Sequence, residues 1–292
     1  MKVARIRLRD GSTSIALVGV DGYHPVADGG LADLLRVLRE RPRPTDGVLV
    51  SDEVEVLCPV ESPPSVRDFM IFEDHVYNSR IGSGQAVPDA WYEAPVFYFT
   101  NPSCLLGPNE SIPVPTGSRA LDFELEVAAL IGEEANDLDP EDPASCDSIA
   151  GFMLMNDWSA RDIQMKEMGG GLGPAKGKDF ATSLGPWVVT PDEIPAGVPG
   201  RFSCPLSVWV NGRRKGGGNL NDSWFTWAQV LGRASANTRL RAGDVIGSGT
   251  VGTGCLLELR ARDGRDDHPW LRSGDVVELN GGPLGTLANS IG

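Results

Sequence analysis

The sequence has few of the residues that build disulfide scaffolds, zinc sites and membrane spans. Its five cysteines are odd in number and scattered, and no C-x-x-C pair occurs, so we expect reduced thiols in a cytoplasmic protein. No apolar run approaches the roughly 18 residues that a membrane span requires. The N-terminal segment MKVARIRLRDG also lacks the apolar stretch of a signal peptide. The sequence therefore predicts neither secretion nor a membrane partner.

Basic residues are scarce as well. The chain carries 26 Lys and Arg against 40 Asp and Glu, which gives a formal net charge of −14. Because binding to nucleic acid or to anionic lipid depends on basic patches, this balance argues against both partners. The same excess of acid is compatible with a site for a metal cation.

What the sequence does contain indicates a turn-rich, mostly β fold. Its 36 glycines and 22 prolines separate many short apolar runs. Residues 4–18 alternate in polarity on either side of Asp10–Gly11 and predict a hairpin. Residues 29–41 have leucines at helical spacing, with Asp28 as the candidate N-cap.

A Pro-rich segment, VESPPS at residues 60–65, predicts the main division of the chain. We expect a small N-terminal hairpin and helix unit over residues 1–60 and one large catalytic domain over residues 61–292. Further strands are predicted at APVFYFT, SLGPWVVT, LSVWVNG, GDVIGSGT, CLLELR and GDVVELNG, with one helix around DSWFTWAQVLGRA.

One familiar glycine motif does not have the context of a nucleotide site. Gly247-x-Gly249-x-x-Gly252 has the glycine spacing of a dinucleotide-binding loop and follows a predicted strand. The following residues, CLLELR, are predicted to be another strand. A pyrophosphate site of this type needs a helix N-terminus, so the motif does not predict nucleotide binding.

The most informative stretch is LDFELEV, residues 121–127. Strand alternation would place Asp122, Glu124 and Glu126 on one face. Glu124 and Glu126 would lie about 6.6 Å apart and would repel by about 2.5 kcal/mol at an effective dielectric of 20. Either this face is solvated, which would be the ordinary case, or it holds a divalent cation.

Two more acids lie beside apolar runs, Asp68 and Asp157. Four carboxylates of this kind suit Mg²⁺, with Mn²⁺ or Ca²⁺ as alternatives. The lack of a Cys/His cluster in the sequence disfavours zinc. Of the three histidines, His24 in the turn-like GYHP and His268 in the polar loop RDDHP are expected to be structural or exposed, whereas His75 follows Asp68 by seven residues.

The segments RDFMIFEDH, LDFELEVAALIG, MNDWSARDIQ, KGKDFATSLGPWVV and SGT…CLLEL together resemble the motif series of the fumarylacetoacetate hydrolase family. The resemblance covers roughly residues 60–292, in order and with matching spacing, and NDWSARDIQ is the most distinctive part. It implies a mixed, mostly β (α+β) roll or barrel-like sandwich with short peripheral helices. It also implies a homodimer.

The resemblance implies roles for ten residues of this chain. These are the metal ligands Asp68, Glu124, Glu126 and Asp157, the catalytic residues His75, Glu258 and Lys178, and the substrate-binding residues Arg161, Gln164 and Thr250. Three of these have structural alternatives. Glu258 could lie on a solvated strand, Lys178 could be a loop lysine, and Arg161 could pair with Asp157 or Asp162.

The chain departs from the namesake enzyme at two positions. Met70 stands where the resemblance would place a tyrosine, and Gly84 stands where it would place a substrate-binding arginine. Arg80 is near Gly84 but out of register. The substrate is therefore expected to differ in its acyl part.

The implied activity is metal-dependent hydrolysis of a C–C bond in a 1,3-dicarbonyl or acylpyruvate-type substrate through a metal-bound enolate, as in aromatic-compound catabolism. The presence of both His75 and Glu258 favours hydrolysis. The same metal and enolate chemistry would also serve a decarboxylase, a keto-enol isomerase or a dehydratase acting on a 2-oxo acid. An alternative of another class is a non-catalytic, metal-stabilised binding protein.

Overall fold

A computed structural model describes residues 1–45, 47–81 and 84–292. Strands dominate it. In chain order they are β1 Lys2–Leu8, β2 Thr13–Val18, β3 Tyr23–Asp28, β4 Val54–Val56, β5 Val66–Phe69, β6 Phe97–Thr100, β7 Leu105–Leu106, β8 Ser111–Ile112, β9 Leu121–Asp122, β10 Leu125–Ile131, β11 Ala135–Asn136, β12 Ile149–Asp157, β13 Ser159–Ala160, β14 Thr182–Val189, β15 Ser207–Val210, β16 Arg213–Gly216, β17 Arg239–Leu240, β18 Val245–Gly247, β19 Val276–Asn280 and β20 Thr286–Ile291.

The helices are short and lie around the sheets. They are α1 Leu31–Glu40, α2 Glu73–Ile81, α3 Asp89–Glu93, α4 Arg161–Gly169, α5 Trp227–Ser235 and α6 Leu256–Arg262, with 3₁₀ turns at Ser51–Glu53, Pro143–Ser148, Pro191–Glu193, Leu220–Asp222 and Gly282–Leu284. In the part of the chain that the structure describes, no helix has the length and apolar character needed to cross a bilayer.

An eleven-stranded sheet forms the centre of the fold. Its order is β3-β2-β1-β14-β12-β10-β18-β5-β6, with β4 beside β1 and β7 beside β14. A second sheet has the order β16-β15-β19-β20-β8. The fold class is therefore the predicted one, a strand-dominated α+β fold with short peripheral helices, and the large sheet is open between edge strands β3 and β6.

Both faces of the large sheet are covered, and the alternation of side chains along β12 shows how. Phe152 and Leu154 lie in one core with residues of β15, β19 and β20, whereas Met153 and Met155 lie in another core with Leu34 of α1. Strand β10 is sandwiched in the same way, so residues on both of its faces are buried. The solvated-face alternative for this segment is therefore wrong.

The N-terminal predictions are confirmed in type. Strands β1 and β2 pair as an antiparallel hairpin, and α1 forms in the predicted region. The N-cap of α1 is Gly30 rather than Asp28, which ends β3. Strand β1 also pairs with β14, so residues 1–60 extend the large sheet. The boundary near residues 60–65 stays a prediction.

Two local predictions are wrong. The segment LDFELEV is not one strand, because it is interrupted at Phe123 and Glu124 between β9 and β10. The segment CLLELR is the helix α6, not a strand. Since α6 begins directly after the glycine-rich loop, the ground given for rejecting the dinucleotide motif is also wrong.

Candidate active site and metal centre

The strand order brings the acids together. Strand β18 runs parallel to β5 and antiparallel to β10, and β10 is antiparallel to β12. One end of the sheet, where strand termini meet, therefore holds the ends of β5, β18 and β12 and the start of β10. Asp68 is near the end of β5, Asp157 ends β12, and Glu124 and Glu126 flank the start of β10.

Asp68, Glu124, Glu126 and Asp157 are all buried, and one carboxylate oxygen from each lies within 4.8 Å of the others. Oxygens on opposite sides of a bound ion are about 4.2 Å apart for Mg²⁺ and about 4.6–5.2 Å apart for Ca²⁺. The spacing of these four groups is thus within the range of an all-oxygen cation site. We call them the acidic cluster.

Three oxygens of the acidic cluster are left without a hydrogen-bond partner among the described residues. They are Oδ1 of Asp68, Oε2 of Glu126 and Oδ1 of Asp157. A buried carboxylate oxygen without a partner loses its hydration and receives nothing in return. Three such atoms in one cluster fit a site that binds a cation, because a bound ion would supply the partner that each oxygen lacks.

Two buried cations lie against the cluster on one side. Lys178 Nζ donates to Glu124 and, at 2.5 Å, to Asp157 Oδ2. Arg161 Nη2 donates to Glu124 Oε1 at 2.7 Å. Burial by itself would raise the pKa of Glu124, but Arg161 and Lys178 outweigh it and hold this pKa below its ordinary value.

The other side of the cluster is not compensated in the same way. Burial, followed by repulsion from Asp157, raises the pKa of Asp68 well above its ordinary value. Burial, followed by repulsion from Asp68, does the same for the pKa of Glu126. A divalent cation would neutralise the charge that Lys178 and Arg161 leave uncompensated.

Gly247 allows this crowding. A Cβ atom at Gly247 would lie 2.5 Å from Asp68 Oδ1 and 3.0 Å from the Sδ of Met155. Any larger residue at this end of β18 would displace the Asp68 carboxylate. The first glycine of the dinucleotide-like motif therefore leaves room for the acidic cluster. The helix N-terminus that follows the motif donates to Asp122, through the N–H groups of Leu256 and Leu257.

Asp122, which has no predicted role, is a buried anchor. Its oxygens accept from the backbone N–H groups of Leu256 and Leu257 at 2.7 and 3.0 Å. One of them also accepts from Arg161 Nε at 2.8 Å. Asp122 thus connects the helix that carries Glu258 to the arginine that holds Glu124.

Each nitrogen of the Arg161 guanidinium donates a hydrogen bond within the protein. Besides Asp122 and Glu124, its Nη1 donates to Gln164 Oε1 at 3.0 Å. Its structural partners are therefore not Asp157 and Asp162, as the alternative in the sequence analysis had it. Arg161 and Gln164 still line the cavity described below, so their role in substrate binding stays a prediction.

His75 and Glu258, which are 183 positions apart in sequence, meet in the structure. His75 Nδ1 lies 2.7 Å from Glu258 Oε1, and both side chains are buried. Glu258 Oε2 accepts from Asn78 Nδ2 at 2.9 Å and from the Thr253 backbone N–H at 2.7 Å. The imidazole therefore has an oriented carboxylate on Nδ1, and no described residue forms a hydrogen bond with its Nε2.

A cavity of about 580 Å³ joins the two groups. Its lining includes His75, Lys178, Gln164 and Thr250 together with members of the acidic cluster. Thr250 Oγ1 also donates to Glu126 Oε1 at 3.3 Å. Every predicted site residue except Asp157 and Glu258 thus borders one cavity, and those two contact residues that do.

Sequence reasoning missed two side chains at this site. The Tyr98 hydroxyl donates to Asp157 Oδ2 at 2.5 Å and lines the cavity. Asn78 holds Glu258 as described above. Helical spacing could have indicated Asn78, since it follows His75 by three residues on α2 and must share its face. Only the pairing of β5 with β6 indicates Tyr98, whose register partner is Asp68.

His75, Cys255 and Glu258 form a second group with metal-ligating atoms close together. A cluster containing Cys and His therefore exists in space, although no motif in the sequence indicates it. Both oxygens of Glu258 already accept hydrogen bonds, and burial raises the pKa of Cys255 well above its ordinary value, which disfavours the thiolate that zinc requires. This group is better suited to proton transfer than to zinc.

Ion binding should depend on pH in a defined direction. In the ion-free protein the raised pKa values of Asp68 and Glu126 make the folded chain bind protons more tightly than the unfolded chain. Its free energy of unfolding should therefore fall as the pH rises above about 4 towards the raised values. Mg²⁺ competes with these protons, so the rise in Tm caused by Mg²⁺ should grow from about pH 5 to about pH 8.

Thermal unfolding with EDTA or with excess MgCl₂ across this range measures that increase. NaCl of matched ionic strength is the control for general screening. A Tm increase that is constant or that shrinks with pH would contradict proton competition at the acidic cluster.

Comparison with known proteins agrees with the fold and shows the family. Residues 65–292 match the family described as fumarylacetoacetate (FAA) hydrolase, C-terminal. The chain belongs to the fumarylacetoacetate hydrolase family. A protein of Burkholderia multivorans, provisionally named a hydrolase, is 34% identical over 277 residues, which cover 94% of this chain and 87% of that protein.

Two solved structures share the whole fold. A fumarylacetoacetate hydrolase from Exiguobacterium antarcticum is 26% identical with a TM-score of 0.76, covering 100% of this chain and 99% of the other. A 5-carboxymethyl-2-hydroxymuconate delta-isomerase from Mycobacterium smegmatis is 25% identical with a TM-score of 0.74 and the same coverage. The structures similar to this chain thus include a named hydrolase and a named isomerase.

Proposed function

We propose that this protein is a metal-dependent hydrolase that cleaves a C–C bond in a 1,3-dicarbonyl substrate of the acylpyruvate type. The observation that carries the proposal is the pair formed by His75 Nδ1 and Glu258 Oε1 at 2.7 Å beside the acidic cluster. Hydrolysis needs a group that removes a proton from water, whereas ion binding alone does not. A histidine oriented by a carboxylate is such a group.

The residues of this chain account for the proton transfer. Glu258 holds the Nδ1 side of His75, and His75 Nε2 accepts a proton from water. The resulting hydroxide attacks the acyl carbonyl carbon, and the bond from that carbon to the central carbon breaks. The bonding pair remains on the departing enolate, which takes up a proton to give the 2-oxo acid, while the acyl part leaves as a carboxylic acid.

The acidic cluster would hold the cation, for which we propose Mg²⁺, with Mn²⁺ or Ca²⁺ as alternatives. Bound there, it would act as a Lewis acid towards the substrate carbonyls. Lys178, whose Nζ lies between Glu124 and Asp157, would donate to oxygen that gains negative charge. Gln164 would offer its amide N–H₂, since Arg161 engages its Oε1. We further propose a homodimer.

The second candidate is an isomerase, a decarboxylase or a dehydratase acting on a 2-oxo acid. The observation in its favour is the 25% identity and complete coverage shared with the named delta-isomerase. These reactions use the same stabilisation of an enolate and differ in the next step. The His75–Glu258 pair could equally move a proton between carbon atoms, so the products must decide.

A product assay separates the candidates. Acylpyruvates, 3,5-diketo acids and oxaloacetate are incubated with the Mg²⁺- or Mn²⁺-loaded protein, and the products are followed by NMR. We expect one equivalent each of a carboxylic acid and a 2-oxo acid from an acylpyruvate. Release of CO₂, or an isomerised product without a new acid, would replace the hydrolase by the second candidate. If EDTA lowers Tm but none of these compounds is converted, the non-catalytic binding protein is the better description.

A further inference from the structure

Helix α4 changes from polar to apolar as it leaves the acidic cluster. Arg161, Gln164, Met165 and Met168 all line the cavity. Their spacing of three, four and seven residues places them on one face of the helix. At 1.5 Å per residue, Met168 lies about 10 Å along the axis from Arg161. The helix face that begins at Arg161, which donates to Glu124, therefore ends in two thioethers.

The other walls of the cavity also contribute apolar side chains. Apolar lining comes from the residue after β5, from α2, from β6 and from α6, in the form of Met70, Val76, Phe97 and Leu257. The cavity of about 580 Å³ lies within the range of pockets that enclose drug-sized ligands. The four-carbon core of a 2,4-dioxo acid would occupy only the part next to the acidic cluster.

The two methionines at the rim are unusually exposed for apolar side chains. Met165 is 70% and Met168 is 55% exposed. Contiguous exposed apolar surface at the mouth of a cavity is typical of a binding site, and flexible thioethers adapt to alkyl chains of different length. A ligand that covered them would remove this apolar surface from water.

Arg80 also lines the cavity. Its positive charge raises the alternative that the acyl chain ends in a carboxylate. Arg80 follows His75 by five residues on α2, and its Nη1 donates to Gln85 Oε1 at 3.2 Å. A substrate whose acyl chain ended in a carboxylate would have to share Arg80 with Gln85. An alkyl chain would leave this contact in place.

We propose that the acyl part of the substrate is an unbranched alkyl chain without a terminal charge, and that Met165 and Met168 determine this preference. The inference rests on the proposed function, because it takes the 2,4-dioxo acid core as bound at the acidic cluster. It adds the class of the acyl group and the residues that select it.

Binding can be separated from turnover in the His75→Ala variant. With saturating Mg²⁺, this variant is titrated calorimetrically with 2,4-dioxo acids that end in methyl, propyl or pentyl groups and with length-matched compounds that end in a carboxylate. We expect Kd to fall about fourfold for each added methylene. We expect each carboxylate-ended compound to bind at least about tenfold more weakly than its alkyl counterpart.

Introducing a positive charge at the rim tests the role of Met168. Met168→Arg, in the same background, should bind the carboxylate-ended compounds at least about tenfold more tightly and the pentyl compound more weakly. Leu172→Arg is the matched control, since it adds the same charge four residues later at a side chain that is 97% exposed and outside the cavity lining. It should leave the order of affinities unchanged.

Two outcomes would overturn the inference. One is a Kd that does not depend on chain length. The other is tighter binding of the carboxylate-ended series that disappears in Arg80→Gln, which would make Arg80 the selecting residue. Turnover of the same compounds by the unmodified protein tests the proposed function separately. A chain-length trend in binding without hydrolysis would remove the hydrolase and keep the alkyl site.

Discussion

Replacing His75 with alanine is expected to lower kcat by about 10²–10⁴-fold while the protein still binds Mg²⁺. The reason is that His75 is the proposed proton acceptor and lies outside the acidic cluster, and a positioned general base contributes a factor of this size. Steady-state kinetics with an acylpyruvate and the Mg²⁺-dependent rise in Tm measure the two properties on the same preparation.

His24→Ala is the matched control for this experiment. His24 is also buried and hydrogen-bonded, to Asp21 and to the Thr45 carbonyl, but it lies on β3, at the opposite edge of the large sheet from β6. It should lower stability without changing kcat. If His75→Ala retains near-normal turnover, His75 has no part in the chemistry. Adding Glu258→Gln to His75→Ala should lower kcat little further, because the two residues are expected to act as a unit.

The second large effect is expected from Glu126→Gln, which keeps the shape of the side chain and removes its charge. Loss of a ligand should abolish the Mg²⁺-dependent rise in Tm and lower kcat/KM by on the order of 10³-fold, because the Lewis acid supplies several kcal/mol. In the presence of EDTA the same variant should be more stable than the original protein, since one of the repelling buried carboxylates is gone. A change of roughly 1 kcal/mol corresponds to about 2–4 °C in Tm.

Opposite signs of the effect with and without the ion distinguish a metal site from a structural acid. Asp244→Asn is the control, because Asp244 is buried outside the acidic cluster and accepts from Ser65 and from the Arg241 backbone. It should lower Tm equally with Mg²⁺ and with EDTA. A Glu126→Gln protein that behaves like Asp244→Asn would end the case for a cation at this cluster.

The sequence predicts those features that depend on local pattern. The hairpin of β1 and β2 and the helix α1 follow from alternation and from helical spacing, and both are present. The four acids could be nominated because each lies beside an apolar run. Their convergence depends on the order β12-β10-β18-β5, which no local pattern contains, and it entered the sequence analysis only through the family resemblance.

The errors have a common physical cause, which is contact with distant residues. CLLELR is short and apolar and fits strand or helix equally. It becomes a helix where Asp122 receives the N–H groups of Leu256 and Leu257. Where LDFELEV is interrupted, the backbone N–H of Glu124 donates to a side chain, Asn156 Oδ1, at 2.8 Å. Neither partner is visible from within its segment.

Asp122 has a further consequence for how such an enzyme can diversify. Through Arg161 it reaches Glu124, and through α6, 134 positions later in the chain, it reaches Glu258. The separation between the acidic cluster and the Glu258 carboxylate is thereby set deep in the protein, away from the exposed thioethers of Met165 and Met168. On the proposed function, mutations of these two methionines should change which acyl group is accepted and leave the geometry around the acidic cluster and Glu258 unchanged.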